Sequence, residues 1–203
     1  MLNEELYTTK SNEAITMFEK EPRLFDQYHE GFREQVKGWP QNPVDLMAKI
    51  IGKNPKWVVA DMGCGDAKLA EAVPNKVHSF DLVAVNEKVV ACDIAKVPLG
   101  HGEVDAVVFS LALMGTNYGD FVVEGHRILK KGGRMLIAEV RSRIEHVLDD
   151  FVTFVGELGF SVDKVEKQNK MFVFLQLTKQ KDKPKGFDAG SAPVLKACQY
   201  KKR

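Results

Sequence analysis

Two glycines behind an apolar run ending in an acid are the first residues of this 203-residue sequence whose types and spacing point to chemistry. In Val59-Ala-Asp-Met-Gly-Cys-Gly-Asp66 a strand-like stretch runs straight into G-x-G, and glycine there lets a ligand touch the backbone. A dinucleotide-binding turn wants a third glycine three positions on; this sequence has Lys68, so a pyrophosphate cradle is incomplete. Asp61 would repel a pyrophosphate but attract a cationic amino group, so an adenosine ligand with an amino-acid tail fits better. A plain strand-to-helix turn, tightened by glycine, is the competing reading of this motif alone. It does not stand alone. Asp81 ends the next apolar run, where an acid in a doubly wound sheet can accept both ribose hydroxyls. Asp93-Ile94 ends the third, offering a carboxylate or backbone group for an adenine edge and an apolar side chain for its face, and Ser110 ends the fourth. Successive strands thus place small or acidic residues at their carboxyl ends, the edge where open α/β sheets bind ligands.

The elements that must hold these residues are legible in the periodicity. Leu24, Phe25, Tyr28, Phe32, Val36 and Trp39 recur at steps of three or four, which predicts a helix from about Pro22 to Trp39-Pro40. Helices are also expected over 11–20, with Ser11 as N-cap, and over 44–51. From Trp57 the period changes to short apolar runs: 57–60, 77–82, 89–92, 104–113, 134–140 and 171–177 read as strands. Helical patterns fall between most of them, at 120–129 with Asp120 as cap and Gly132-Gly133 as stop, and at 144–158 with Gly159 as the C-terminal signal. This alternation predicts an α/β fold with a doubly wound, mostly parallel sheet. Between 83 and 88 there is no room for a crossover helix, since parallel strands need a link of about a dozen residues or more. A compressed loop is expected, with the N-terminal helices covering the sheet face it leaves open. The chain divides into N-terminal helices (1–55), a core (56–178) and a loose basic tail (179–203) within one structural domain.

Composition bounds the function. Hydrophobic residues at 44% and charged residues at 28% are those of a globular chain, and no apolar run approaches the roughly 18 residues of a membrane span. Residues 1–20 are too acidic and polar for a signal peptide, which with three unpaired cysteines argues for a reducing compartment. No cysteine pair or histidine spacing suggests a metal site, and the place of Cys64 in the glycine turn explains it without a nucleophilic role. The net charge of +1 hides an asymmetry: residues 179–203 carry +6 and the remainder −5. Any polyanion contact is therefore expected mainly at the C-terminal end.

The strand-end order resembles that of class I, Rossmann-like S-adenosylmethionine-dependent methyltransferases. A narrower set, Leu2-Asn-Glu-Glu-Leu-Tyr7, Tyr28-His-Glu-Gly-Phe32, Val36-Lys-Gly-Trp-Pro40, Asn42-Pro-Val-Asp45, Ala60-Asp-Met-Gly-Cys-Gly65, Val77-His-Ser-Phe-Asp81 and Leu111-Ala-Leu-Met-Gly-Thr-Asn117, resembles the ribosomal RNA-processing protein 8 family, nucleomethylin in vertebrates. The resemblance spans 2 to about 177. It implies methylation of N1 of an adenine in large-subunit ribosomal RNA, in the nucleolus of the nucleus. It also implies S-adenosylmethionine as cofactor with S-adenosylhomocysteine as product, and nucleolar chromatin proteins as further partners. The alternative is a binding module of a chromatin-silencing complex that senses S-adenosylmethionine without transferring methyl groups. By motif, the cofactor contacts fall on His29, Gly63, Gly65, Asp81, Asp93, Ile94 and Ser110. Relatives can carry Cys at the position of Ser110, which leaves a backbone contact there. The compressed link after Asp81 departs from the wider methyltransferase pattern and is taken as a family trait. The base pocket is expected from Met114-Gly-Thr-Asn117, with Asn117 bonding a flipped adenine and Arg141 and Arg143 holding RNA phosphates.

Overall fold

The structure, a computed structural model, describes residues 2–198, and for residues 2–4, 32 and 35 the backbone alone. Phe32 of the expected apolar stripe and the side chains of Leu2 to Glu4 therefore lie outside the described side chains. The end of the basic tail lies outside the described residues.

Among the described residues seven strands form one sheet in the order β3-β2-β1-β4-β5-β7-β6. They are β1 (Val58–Met62), β2 (Lys76–Asp81), β3 (Val89–Ala91), β4 (Val104–Ser110), β5 (Leu129–Val140), β6 (Phe160–Glu166) and β7 (Phe172–Lys179). The first five pair in parallel, and β7 runs antiparallel between β5 and β6. The central strands β1 and β4 carry apolar residues on both faces because both faces are covered. Ala60, Met62, Val107, Phe109 and Ile137 pack against Phe121 and Val122 of α6 (Tyr118–Ile128) and Phe151 and Val155 of α8 (Leu148–Leu158). Their neighbours Val59, Ala106, Val108, Leu136 and Ala138 face Met47 and Ile51 of α4 (Pro43–Gly52) and Leu69 of α5 (Lys68–Ala72).

The link from β2 to β3 holds no helix, as expected. Leu82 and Val83 of that link pack against Leu6 of α1 (Leu2–Thr8), Ala14 and Phe18 of α2 (Ser11–Lys20) and Phe25 of α3 (Arg23–Lys37). The N-terminal helices thus supply cover that a crossover helix would have supplied.

Several local expectations are corrected. Lys10, not Ser11, precedes α2 as its cap, and the Ser11 hydroxyl is used elsewhere. Helix α6 begins behind Asn117 rather than at Asp120. It ends at Ile128 because Leu129 already pairs with Val104, so Gly132-Gly133 fall within β5 and stop nothing. The 144–158 helix is broken by a 3-10 turn, Glu145–Val147, before α8 begins at Leu148. Its end at Gly159, in the left-handed region at φ 117°, is as expected.

The largest correction concerns the tail, which is not loose over 180–198. Three of its apolar residues are anchors: the Phe187 ring lies tilted 5.4 Å from that of Phe154, and Ala192 and Leu195 pack against the core. The 3-10 turn Ala189–Ser191 sits on Gly119 of α6 so closely that a Cβ there would lie 2.1 Å from the Ala189 carbonyl oxygen. Tyr118 donates to the Pro193 carbonyl, and Arg143 Nε donates to that of Lys196 at 2.8 Å. Lys179, counted among the tail's free cations, is buried and donates to the carbonyls of His126 and Leu129. The segment is a strap.

Candidate active site

The carboxyl ends of β1, β2 and β4 open into a cleft of about 930 Å³, roofed by α1 to α3. That is within the size range of ligand pockets. Gly63, Gly65, Asp81, Ile94, Ser110 and His29 all line it. Parallel strands explain the convergence, because their carboxyl ends lie on one edge.

Gly63 has φ 77°, and a Cβ there would lie 2.6 Å from that of Ala112. Only glycine leaves the turn close to the strand-end loop. Both oxygens of Asp81 accept backbone N–H groups, Oδ2 from Gly65 at 2.7 Å and Oδ1 from Leu82 at 2.7 Å. Each keeps lone-pair capacity for a hydroxyl, since a carboxylate offers about four acceptor positions. The His29 ring lies over the turn, its Cε1 3.4 Å from where a Cβ on Gly65 would stand. Arg33, one turn along α3, donates from Nη1 to both oxygens of Asp66 at 3.0 and 3.2 Å and fixes the helix over the glycines. Burial pushes His29 below its ordinary range, offset in part by Asp81, and pushes Asp81 upward, offset in part by His29.

Asp61 lines the same cleft and is 3% exposed. Burial, reinforced by the charge of Asp81, pushes its carboxyl up to about 7. A buried acid at a cavity wall is a receptor for a cation. The donor set, a diol acceptor at Asp81, a cation receptor at Asp61 and an apolar Ile94 between them, fits an adenosine with an amino-acid tail. Burial and these two acids also push the Cys64 thiol far upward, so it is no nucleophile. Among the described residues no group of His, Cys, Asp or Glu could hold a metal, and no helix is long and apolar enough to cross a membrane.

Four expected site residues are placed otherwise. Asp93 does not line the cleft: Oδ2 accepts from Ser11 Oγ at 2.8 Å and Oδ1 from the Ala95 N–H at 2.9 Å, leaving Ile94 to face inward. Asn117 does not present its amide to the pocket. Its Oδ1 accepts from the Ser11 N–H at 3.0 Å, and its Nδ2 donates to Ser11 Oγ at 2.9 Å and to Asp120 at 3.3 Å. Arg141 donates to the carbonyls of Lys167 and Asn169 and pairs with Glu145 at 2.6 Å. Arg143, expected on the surface, is 2% exposed and paired with Glu139 at 2.9 Å.

Ser11 is the residue that sequence reasoning missed, because a serine at a helix start reads as a cap. Here it ties α2 to the loops after β3 and before α6. Ser11→Ala should lower stability by about 1 to 3 kcal/mol, the cost of leaving buried partners unpaired, measured as the urea midpoint. An unchanged midpoint would show that Asp93 and Asn117 re-pair without it.

Comparisons with known proteins place the chain by family and by fold. A family model described as "Hypothetical methyltransferase" matches residues 1–203. Ribosomal RNA-processing protein 8 of Dictyostelium discoideum is 45% identical over the whole chain, which spans 56% of that protein. The 25S rRNA (adenine(645)-N(1))-methyltransferase of Schizosaccharomyces pombe is 45% identical, with 67% of its length covered, and ribosomal RNA-processing protein 8 of Arabidopsis thaliana 43%, with 73% covered. Among solved structures, a 1,6-didemethyltoxoflavin-N1-methyltransferase of Burkholderia thailandensis, with S-adenosylhomocysteine bound, superposes at TM-score 0.56 and 17% identity, covering 80% of this chain and 90% of that one. A TehB-like SAM-dependent methyltransferase of Corynebacterium glutamicum gives TM-score 0.58 and 18% identity, covering 78% of this chain and all of that one. At these identities the structural matches speak to the fold, that of class I methyltransferases.

Proposed function

The chain belongs to the ribosomal RNA-processing protein 8 family, and from that premise we propose that it transfers a methyl group from S-adenosylmethionine to N1 of an adenine in large-subunit ribosomal RNA. The observation that carries the reading is the convergence of His29, Gly63, Asp81, Ile94 and Ser110 on one cleft, in a chain 45% identical to a relative named for this reaction. The workplace follows from the substrate: the nucleolus, where large-subunit RNA is made, with nucleolar chromatin proteins as further partners.

S-adenosylmethionine supplies an electrophilic methyl on a sulfonium. Adenine N1 already has a lone pair, so the protein needs no strong base, and positioning supplies most of the acceleration. Asp81 holds the ribose diol, Asp61 the amino group, Ile94 the adenine face, and the Gly63 turn admits the tail to the backbone. The roof of α1 to α3 excludes water, which strengthens each contact. Methylated N1 makes the base cationic, and the acidic wall of Asp61 and Asp81 favours that charge.

Incubation with labelled S-adenosylmethionine and unmodified large-subunit RNA should place the label on an adenine. Binding of S-adenosylhomocysteine without any transfer would instead fit the module reading. Asp81→Ala should weaken S-adenosylhomocysteine by on the order of 1.5 to 3 kcal/mol, the worth of hydrogen bonds to a charged group. Calorimetry giving equal affinities for the two proteins would remove Asp81 from the site.

A further inference from the structure

The cleft is longer than the cofactor residues require. Its lining also includes Trp39, Asn42, Lys49, Lys68 and Asn169, of which Trp39 and Asn169 touch Phe172, opposite Val140 at the carboxyl end of β5. Of the loop expected to form a base pocket, Met114 and Gly115 line the cleft, but the Asn117 amide is committed to Ser11 and the Thr116 N–H to the Thr9 carbonyl at 3.1 Å. The far end of the cleft has the chemistry that loop lacks.

Trp39 stacks on Phe172 at 6.1 Å with an interplanar angle of 19° and also lines the cleft, so its indole is held as a fixed plate. Two side-chain amides flank it in orientations set by their own backbone bonds. Asn169 Oδ1 accepts from the N–H groups of Met171 at 2.7 Å and Phe172 at 3.2 Å, and Asn42 Oδ1 accepts from that of Val44 at 3.1 Å. A backbone N–H only donates, so each accepting atom is the oxygen, and each Nδ2 is left as a donor. Among the described residues neither Nδ2 is spent on another group. Lys49 and Lys68 stand on the rim without an ion pair among the described residues, beside Asp45.

We propose that this end of the cleft is the acceptor subsite, in which an unpaired adenine stacks on Trp39. Asn169 and Asn42 donate to its ring acceptors N7 and N3, while Lys49 and Lys68 hold the flanking phosphates. The donor-only amides fit the chemistry: N1 must stay free to face the methyl, and N7 and N3 are the remaining ring acceptors of the purine. An aromatic plate with cations at the rim is how single-stranded RNA is bound. The inference rests on the methyl-transfer reading for the identity of the base.

Two arms separate it from that reading. In the kinetic arm, Trp39→Leu keeps an apolar filler against Phe172 but loses the stacking plate. It should lower kcat/KM for RNA about tenfold or more with the protein still folded and S-adenosylhomocysteine affinity unchanged, whereas Trp39→Phe should stay within about threefold. Asn169→Asp keeps the acceptor for Met171 and Phe172, removes the donor, and should raise KM for RNA with the fold intact. Wild-type kinetics in Trp39→Leu, or an equal fall in Trp39→Phe, would overturn the proposal. In the binding arm, Trp57→Phe leaves Trp39 as the lone indole, and S-adenosylhomocysteine is present throughout. A uridine oligonucleotide carrying one adenine should then quench the fluorescence and an all-uridine one much less. Equal quenching, or none, sinks the subsite. If the wild type methylates no RNA, the proposed function fails and the fluorescence result alone decides this one.

Discussion

Arg143→Met is expected to cost about 3 to 5 kcal/mol of stability, the usual penalty for removing one partner of a buried ion pair. At roughly 2 to 4 °C per kcal/mol for a chain of this size, the melting temperature should fall by about 6 to 20 °C. Arg143 and Glu139 are both almost wholly buried, so methionine would fill the space and leave the carboxylate with no countercharge. More is lost than the pair. The guanidinium also donates to the carbonyls of Leu113 at 3.0 Å and Lys196 at 2.8 Å and lies 4.2 Å over the Tyr7 ring. The double variant Glu139→Gln, Arg143→Met should recover part of the loss, because it buries no uncompensated charge. A double variant no more stable than the single one would place the whole cost in the lost carbonyl bonds.

Asp61→Asn should act with opposite signs on the ligand-free and the ligand-bound protein. The Asp61 carboxyl is raised to about 7 in the folded chain against 3.8 as an ordinary carboxyl. Between those values the folded chain holds a proton that the unfolded chain has released, so stability falls as pH rises through this window. Asparagine removes the penalty: the ligand-free variant should gain on the order of 2 to 4 kcal/mol at pH 8 and almost nothing near pH 4. In return it loses the anion that meets the cofactor's amino group, so S-adenosylhomocysteine should bind at least tenfold more weakly. Wild-type affinity should also decline below about pH 7, while the variant's stays flat. Urea midpoints across pH and calorimetry at pH 6 and 8 read both effects. Identical pH profiles for the two proteins would show that Asp61 is not the group titrating.

Much of the fold and one half of the site were legible because their signals are local. Val58 to Ala60 are apolar without alternation, as expected of a strand covered on both faces. Asp61, Gly63, Asp81 and Ser110 follow from strand ends that parallel pairing must bring together. The misses share a different cause. Ser11, Asp93 and Asn117 looked like a cap, a ligand contact and a base contact, yet they bond one another across 82 and 106 residues of chain. Nothing in local spacing announces such a match. Strand β6 was hidden because its exposed edge carries Asp163 and Lys164, and the strap because a few scattered apolar residues anchor a segment whose composition is otherwise that of a solvated end. Arg143 reads as a surface base until its position opposite Glu139 is known.

Because Arg143 gathers partners from residues 7, 113 and 196, the molecule is also bound to a timetable. The roof helices leave the ribosome before the residues they pack on at 82 and 83, and the guanidinium that fastens α1 receives its Lys196 acceptor only after the whole sheet has been made. Domains fold as units during synthesis, and here the unit draws on a residue 53 positions beyond Arg143. A chain interrupted before residue 180 therefore carries every cofactor residue in sequence while Arg143 and Tyr118 lack the carbonyl acceptors of Lys196 and Pro193.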